Sequence, residues 1–229
     1  MFAKLFYGVL KALCRALLVV VFRARAYHAE RVPREGALIL AANHQSYIDP
    51  PLVGAFIKRE ASYIARAGLF KFKPFGACLR AINCVPLQEN TGDAGAIREA
   101  IRRLEGGHAV LIFPEGSRSM DGAMHEYKRG VALLVKRAKC PVVPVAVEGC
   151  WDAWPRGGKP RAFVPVAVMY GQAIAYDELM KDGADAALQR LARETQAMRM
   201  ELRAKLRERT AGKYPVAGAG DSAEIVGAG

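Results

Sequence analysis

Two short segments concentrate the side chains able to move a proton or grip an anion. The first is Asn43-His44-Gln45-Ser46-Tyr47-Ile48-Asp49-Pro50-Pro51, and the second is Phe113-Pro114-Glu115-Gly116-Ser117-Arg118-Ser119. His44 and Asp49 stand five residues apart. Five helical steps rotate a chain by about 500°, so the pair cannot share a helix face, whereas across a loop the two side chains can meet. A carboxylate on one ring nitrogen fixes the imidazole tautomer and leaves the other nitrogen as a base for a hydroxyl. No G-x-S-x-G elbow supplies a serine, so the hydroxyl is expected to come from the substrate. Ser46 is the nearest alternative and would make a serine-hydrolase variant. A lone histidine is ordinarily structural; here the flanking Asn, Asp and Pro-Pro weigh against that.

In the second segment Gly116 permits a sharp turn. Ser117, Arg118 and the neighbouring backbone N–H groups form a set that can hold a phosphate. Glu115 can position a hydroxyl or Arg118. Taken alone, a polar turn with a local Glu–Arg pair explains these residues equally well.

The elements that must present these segments are short and alternating. Ala37–Ala41 reads as a buried strand leading into His44, and Ala109–Phe113 as a strong strand leading into Glu115. Weaker runs lie at 62–65 and 84–87, and two more strands at 142–147 and 162–168 carry internal prolines that suggest edges or bulges. Helical patterns fall at about 51–58, 92–105 and 128–138, and a long charged helix at 184–210. Asp49-Pro50 reads as a helix start, with Asp at the N-cap and Pro in the first turn. The alternation predicts one α/β domain with a mostly parallel sheet flanked by helices. His44 then lies at the carboxyl edge of the sheet, where open α/β sheets place their sites. The Gly/Ala-rich stretch 213–229 reads as a disordered tail. The domain itself is expected over 28–212.

The chain has 229 residues, is 52% hydrophobic and carries 34 basic against 22 acidic residues, a net +12. It is too apolar to be disordered and long enough to bury a core without a staple. Its five cysteines, 14, 78, 84, 140 and 150, form no C-x-x-C pair, so neither a disulfide framework nor a metal site is expected. A basic excess has three ordinary causes: nucleic acid, an anionic membrane or phosphorylated ligands. Lys/Arg clusters interleaved with aromatics, the mark of nucleic-acid binding, are not evident, and no nucleic acid is expected as a partner.

Five basic residues and no acid fall in residues 1–27. Phe2, Leu5, Phe6, Val9, Leu10, Leu13 and Leu17 recur at helical spacing on one side, and Lys4, Lys11 and Arg15 on another. The longest charge-free run, Ala16–Phe22, is short for a bilayer, which takes about 20 apolar residues. The segment is therefore expected to lie in a membrane interface, with its basic face on lipid phosphates. A span and a core helix are the alternatives.

NHQSYIDP followed about 70 residues later by FPEGSRS resembles the glycerolipid acyltransferase family, which includes bacterial 1-acyl-glycerol-3-phosphate acyltransferases. Tyr127-Lys128-Arg129-Gly130 and Pro141-Val-Val-Pro144-Val-Ala-Val are similar to further blocks of that family, and Arg66 through Gly76 to its approach to the second block. The likeness covers about residues 28–175. It implies acyl transfer from acyl-CoA or acyl carrier protein to the hydroxyl of a lysophospholipid, giving phosphatidic acid, with no cofactor. It implies His44 as general base and Asp49 as its orienting partner. Glu115, Gly116, Ser117 and Arg118 would bind the acceptor, with Lys128, Arg129, Arg66 and Arg80 as further candidates. The implied location is the cytoplasmic face of the inner membrane, on anionic lipid. One residue departs from the pattern: Glu89 ends Val85-Pro86-Leu87-Gln88-Glu89 where the family often has a basic residue. Either Arg66, Arg80 or Arg118 compensates, or the acceptor is another lysophospholipid or a lyso-amino lipid.

Overall fold

The structure, a computed structural model, describes residues 2–87 and 92–227. Glu89 lies outside the described residues, as does the side chain of Arg66. The elements run α1 (Phe2–Phe22), β1 (Arg25–Tyr27), β2 (Leu38–Ala42), α2 (Asp49–Phe56), β3 (Ala61–Arg66), α3 (Lys73–Ala81), β4 (Cys84–Leu87), α4 (Gly92–Glu105) and β5 (Ala109–Ile112). They continue through α5 (Gly130–Ala138), β6 (Val142–Glu148), α6 (Cys150–Ala153), β7 (Ala167–Tyr170), α7 (Tyr176–Met180) and α8 (Ala184–Arg209).

Seven strands form one sheet in the order β1-β7-β6-β2-β5-β3-β4. Every neighbouring pair is parallel except β6 and β7, which gives the mixed, mostly parallel α/β sheet expected. β2 runs through the middle between β5 and β6, and all five of its residues are buried. A strand covered on both faces needs an unbroken apolar run, which Leu-Ile-Leu-Ala-Ala supplies. Its side chains alternate between two cores. Leu38, Leu40 and Ala42 pack with Leu18 and Phe22 of α1 and Leu52 and Val53 of α2. Ile39 and Ala41 pack with Ala100 of α4, Leu134 of α5 and Leu191 of α8 on the opposite side.

Several sequence expectations are corrected. The leader does not run as helix to residue 27: α1 stops at Phe22, Arg23 takes a left-handed conformation (φ 46°), and Arg25–Tyr27 joins the sheet beside β7. The strand expected at 162–168 begins only at Ala167. Phe163 and Val166 instead donate their N–H groups to Val21 O (2.6 Å) and Phe22 O (3.1 Å), stitching that loop to the end of α1. The segment from Lys213, expected to be disordered, is folded against α8. Arg203 donates to Val216 O (2.6 Å), Arg199 to Gly220 O (2.9 Å) and Ser222 O (3.1 Å). Its Gly/Ala-rich composition does not announce a fold, but these polar contacts order it.

α1 lies against the body by its basic side, which was expected on lipid phosphates. Lys11 Nζ donates to Ile57 O (2.5 Å) and Arg59 O (3.0 Å), and Arg15 stacks over Phe56 with 5.0 Å to the ring centroid. Leu5, Phe6, Val9, Leu13, Leu17 and Val20 remain exposed along the other side, Val20 at 68%. Leu5–Phe22 has a mean hydropathy of 2.1, and by length and composition is sufficient to cross a membrane.

Candidate active site at the carboxyl edge of the sheet

Three adjacent strands end where the two motifs meet. His44 follows β2 by two residues, Glu115 follows β5 by three, and Glu148 closes β6. The first tie sits just before His44. Asn43 Nδ2 donates to Val147 O (3.0 Å), and Val147 N donates to Asn43 Oδ1 (2.8 Å), so the amide side chain extends the β2–β6 pairing where the chain turns away.

His44 Nδ1 lies 2.7 Å from Asp49 Oδ2. A carboxylate only accepts, so Nδ1 carries the proton and Nε2 is the basic nitrogen. The same Asp49 oxygen accepts the N–H groups of Gln45 and Ser46, both at 2.6 Å. Asp49 was expected to cap α2; its carboxylate instead turns back onto the loop before the helix, and α2 has no side-chain cap bond. The imidazole is stacked on the Phe113 ring, with centroids 3.8 Å apart and planes inclined by 14°. Its side chain is 17% exposed and that of Asp49 is fully buried. Hydrogen bond and stacking together fix both the tautomer and the plane of the ring.

The chain offers His44 no nucleophile among the described residues. Ser46 Oγ donates to Trp154 O (2.7 Å) and is buried, which removes the serine-hydrolase alternative. Cys150 is buried beside Asp49, and burial followed by the neighbouring carboxylate pushes its thiol well up, so it stays protonated. Burial likewise raises Cys84 to about 11.

Glu115 is not placed as an acceptor ligand. It is buried, Oε1 accepts the His44 N–H (2.6 Å) and Oε2 accepts the His125 N–H (3.0 Å). Burial lifts its carboxyl to about 8, with the two N–H groups opposing and nearby Asp49 reinforcing the rise. The carboxyl thus braces the backbone of the His44 loop. Gly116 turns with φ 74°, and a Cβ there would meet Lys128 Cε at 2.6 Å, so the lysine side chain passes directly over the turn. Ser117 is exposed. Arg118 lies over the Tyr47 ring, 3.6 Å to its centroid, and its Nη1 is buried with no hydrogen-bond partner among the described residues. Tyr47 belongs to the His44 loop and packs at 5.4 Å against Trp154, so Arg118 is stacked on that loop.

The remaining candidates divide. Lys128 N donates to Pro114 O (2.9 Å), which ties the start of α5 to the Glu115 turn, and Arg129 stands exposed at the head of α5. Arg80 stacks over Phe70 (5.1 Å), within the packing of α3, rather than on the His44 pair. Sequence reasoning missed Phe113 as a stacking partner, Asn43 as a strand mimic and Gln45 as a buried ligand of Glu148. All three sit inside the motifs, but their roles follow from burial and direction, which a linear pattern does not carry.

A mostly parallel α/β sheet whose carboxyl edge holds a histidine oriented by a buried carboxylate is the frame of an enzyme of the transferase class. The chain belongs to the Acyltransferase family, whose model matches residues 23–148. It is 28% identical over 141 residues to the 1-acyl-sn-glycerol-3-phosphate acyltransferase of Bacillus subtilis (strain 168), covering 59% of this chain and 70% of that protein. It is 29% identical over 150 residues to the 1-acyl-sn-glycerol-3-phosphate acyltransferase of Streptococcus pneumoniae (strain ATCC BAA-255 / R6), covering 64% of this chain and 55% of that one. The crystal structure of the 1-acyl-sn-glycerophosphate acyltransferase PlsC from Thermotoga maritima superposes with a TM-score of 0.64 at 28% identity, over 85% of this chain and 80% of that one.

Proposed function

We propose that this enzyme transfers an acyl group from a thioester, acyl-CoA or acyl carrier protein, to the free hydroxyl of 1-acyl-sn-glycerol-3-phosphate at the surface of a membrane. The observation that carries the proposal is the His44–Asp49 pair, 2.7 Å apart, with Nε2 of the ring unclaimed by any hydroxyl or thiol of the chain among the described residues. The names of the relatives supply the acceptor. The exposed apolar side of α1 supports attachment to a bilayer, at the cytoplasmic face where thioester donors are found.

In the proposed reaction, Nε2 takes the proton of the acceptor hydroxyl as its oxygen attacks the thioester carbonyl carbon. Asp49 stabilises the imidazolium that forms. The tetrahedral intermediate collapses with loss of the thiolate, and the proton on Nε2 passes to that sulfur. An ester bond replaces a thioester bond, the thiol leaves, and no acyl-enzyme forms. Arg118 holds the phosphate of the acceptor, supported by its unpartnered Nη1. Glu115 takes no part in acceptor binding in this reading, because both its oxygens are occupied.

The test is turnover of labelled lysophosphatidic acid with each thioester donor, alongside a panel of other lysophospholipids and lyso-amino lipids. His44→Ala should lower kcat by about 10²–10⁴-fold. Arg118→Ala should raise KM for the phosphorylated acceptor while leaving KM for the donor in place. Full activity in His44→Ala would overturn the base assignment. Preference for an unphosphorylated acceptor would overturn the acceptor.

A further inference from the structure

Behind the catalytic pair lies a buried ionic constellation that the proposed reaction does not use. Glu148, at the end of β6, sits between two arginines of α8. Arg199 Nη1 donates to its Oε2 (3.0 Å) and Arg203 Nη1 to its Oε1 (2.6 Å). All three side chains are 5% exposed or less. Desolvating three charges costs several kcal/mol per ion and is often not recovered relative to an apolar cluster of the same volume. Stability is therefore a weak reason for this triad, and its connections offer a stronger one.

Those connections form a closed circuit through the catalytic histidine. Gln45, the residue after His44, donates from Nε2 to Glu148 Oε2 (3.2 Å) and to Gly122 O (3.3 Å). On its other side the triad grips the C-terminal segment: Arg199 binds Gly220 O and Ser222 O, and Arg203 binds Val216 O and Asp221 Oδ1 (2.7 Å). That segment runs on to Val226, whose N–H donates to Met124 O (3.0 Å) and whose carbonyl accepts from Glu126 N (3.0 Å). His125, between those two residues, donates its N–H to Glu115 Oε2, and Glu115 Oε1 accepts the N–H of His44. The chain of contacts thus leaves His44 through Gln45 and returns to it through Glu115.

We propose that Glu148 is a positioning residue for the reaction. With Arg199 and Arg203 it couples the C-terminal segment, residues 216–226, to the catalytic loop, so that this segment completes the site from behind. The inference rests on the proposed acyl transfer at His44. The family match ends at residue 148, so the coupling brings into the site a stretch of chain that the family model does not reach.

Two variants test it, each measured in the full chain. Glu148→Gln keeps the shape but removes the charge that both guanidiniums meet. Val226→Pro removes one donor, the N–H to Met124 O, at a 39% exposed position outside the sheet and both cores. Misplacement of a reacting group by about 1 Å can cost 10²-fold, so Glu148→Gln should lower kcat of the folded enzyme about 10- to 100-fold with KM for donor and acceptor unchanged. Val226→Pro should lower kcat less, and amide exchange at His44 and His125 should quicken in both. A fall in Tm with kcat per folded molecule unchanged would overturn the proposal by making the triad merely structural. A rise in KM alone would overturn it by making the effect one of binding. Should Glu148→Gln fail to fold, Val226→Pro decides. Should the wild type transfer no acyl group at all, the proposed function fails, while exchange at His44 in Val226→Pro still reports the coupling: quicker exchange supports it and unchanged exchange overturns it.

Discussion

Glu115 shows how far a residue's role can depart from its place in a motif. Beside Gly116 and Arg118 it reads as a ligand for substrate; in the fold its two oxygens brace the backbone of His44 and His125. His44 and Asp49 were legible because the chemistry needs a particular pair at a particular spacing and a proline marks where the helix begins. Glu115 was not, because burial decides its role and the two residues that follow it are exposed. Burial also gives it a titration. Its carboxyl stands at about 8 in the folded chain against an ordinary 4.5, so the folded state holds the proton more tightly than the unfolded state between those values. The stability associated with the protonated group is present below pH 4.5 and is lost as pH rises through 8. Glu115→Gln does not titrate, and its amide nitrogen cannot accept a backbone N–H, so the variant should be the less stable at pH 5 and should close that gap as pH rises to 8.5. Urea unfolding of both proteins across that range measures the gap, and parallel curves would contradict it.

At the scale of elements, α1 is the informative case. Its helical spacing marks an amphipathic helix from sequence alone, and its apolar side does stand outward, but its basic side docks on the body instead of standing free for lipid phosphates. Lys11 reaches two carbonyls at the end of α2, a partner 46 residues away that no local pattern announces, and so the apolar side is left outward. β1 was hidden because three residues are too few to show a period, and α3 because Pro74 and Gly76 interrupt its pattern. The larger strands β2, β5 and β6 were legible as continuous apolar runs, the signature of strands covered on both faces. Leu13 and Leu17 lie one turn apart at 62% and 59% exposure. Burying a leucine contributes about 1.5–3 kcal/mol, so Leu13→Asn with Leu17→Asn should weaken vesicle binding by about 100-fold or more. Turnover of detergent-dispersed acceptor should hardly change, because neither residue touches the site. Co-sedimentation with liposomes and the detergent assay separate the two effects.

The whole molecule carries its functions on different sides of one sheet. The layer of α1 and α2 offers the apolar side chains; the layer of α4, α5 and α8 packs on the other face. Net charge, +12 from 34 basic and 22 acidic residues, indicated anionic partners from the start, and the fold divides that charge. Arg118 is stacked on Tyr47, Arg199 and Arg203 are internal, and Lys11 serves docking within the chain. Fewer cations are therefore left for lipid than the count suggests. Binding to anionic vesicles should weaken with salt, since exposed charges are screened within about 8 Å at physiological ionic strength, and should settle at a salt-resistant remainder set by the leucine-rich side of α1. Neutral vesicles should show that remainder alone.

The stitching of Val21 and Phe22 to the loop at Phe163 and Val166 makes α1 a fixed strut on the sheet rather than a tether. On the proposed function, a catalyst held so at a bilayer would meet its acceptor in two dimensions. Molecules per unit area would then set its rate, and adding inert lipid at constant bulk acceptor should slow the enzyme by surface dilution alone.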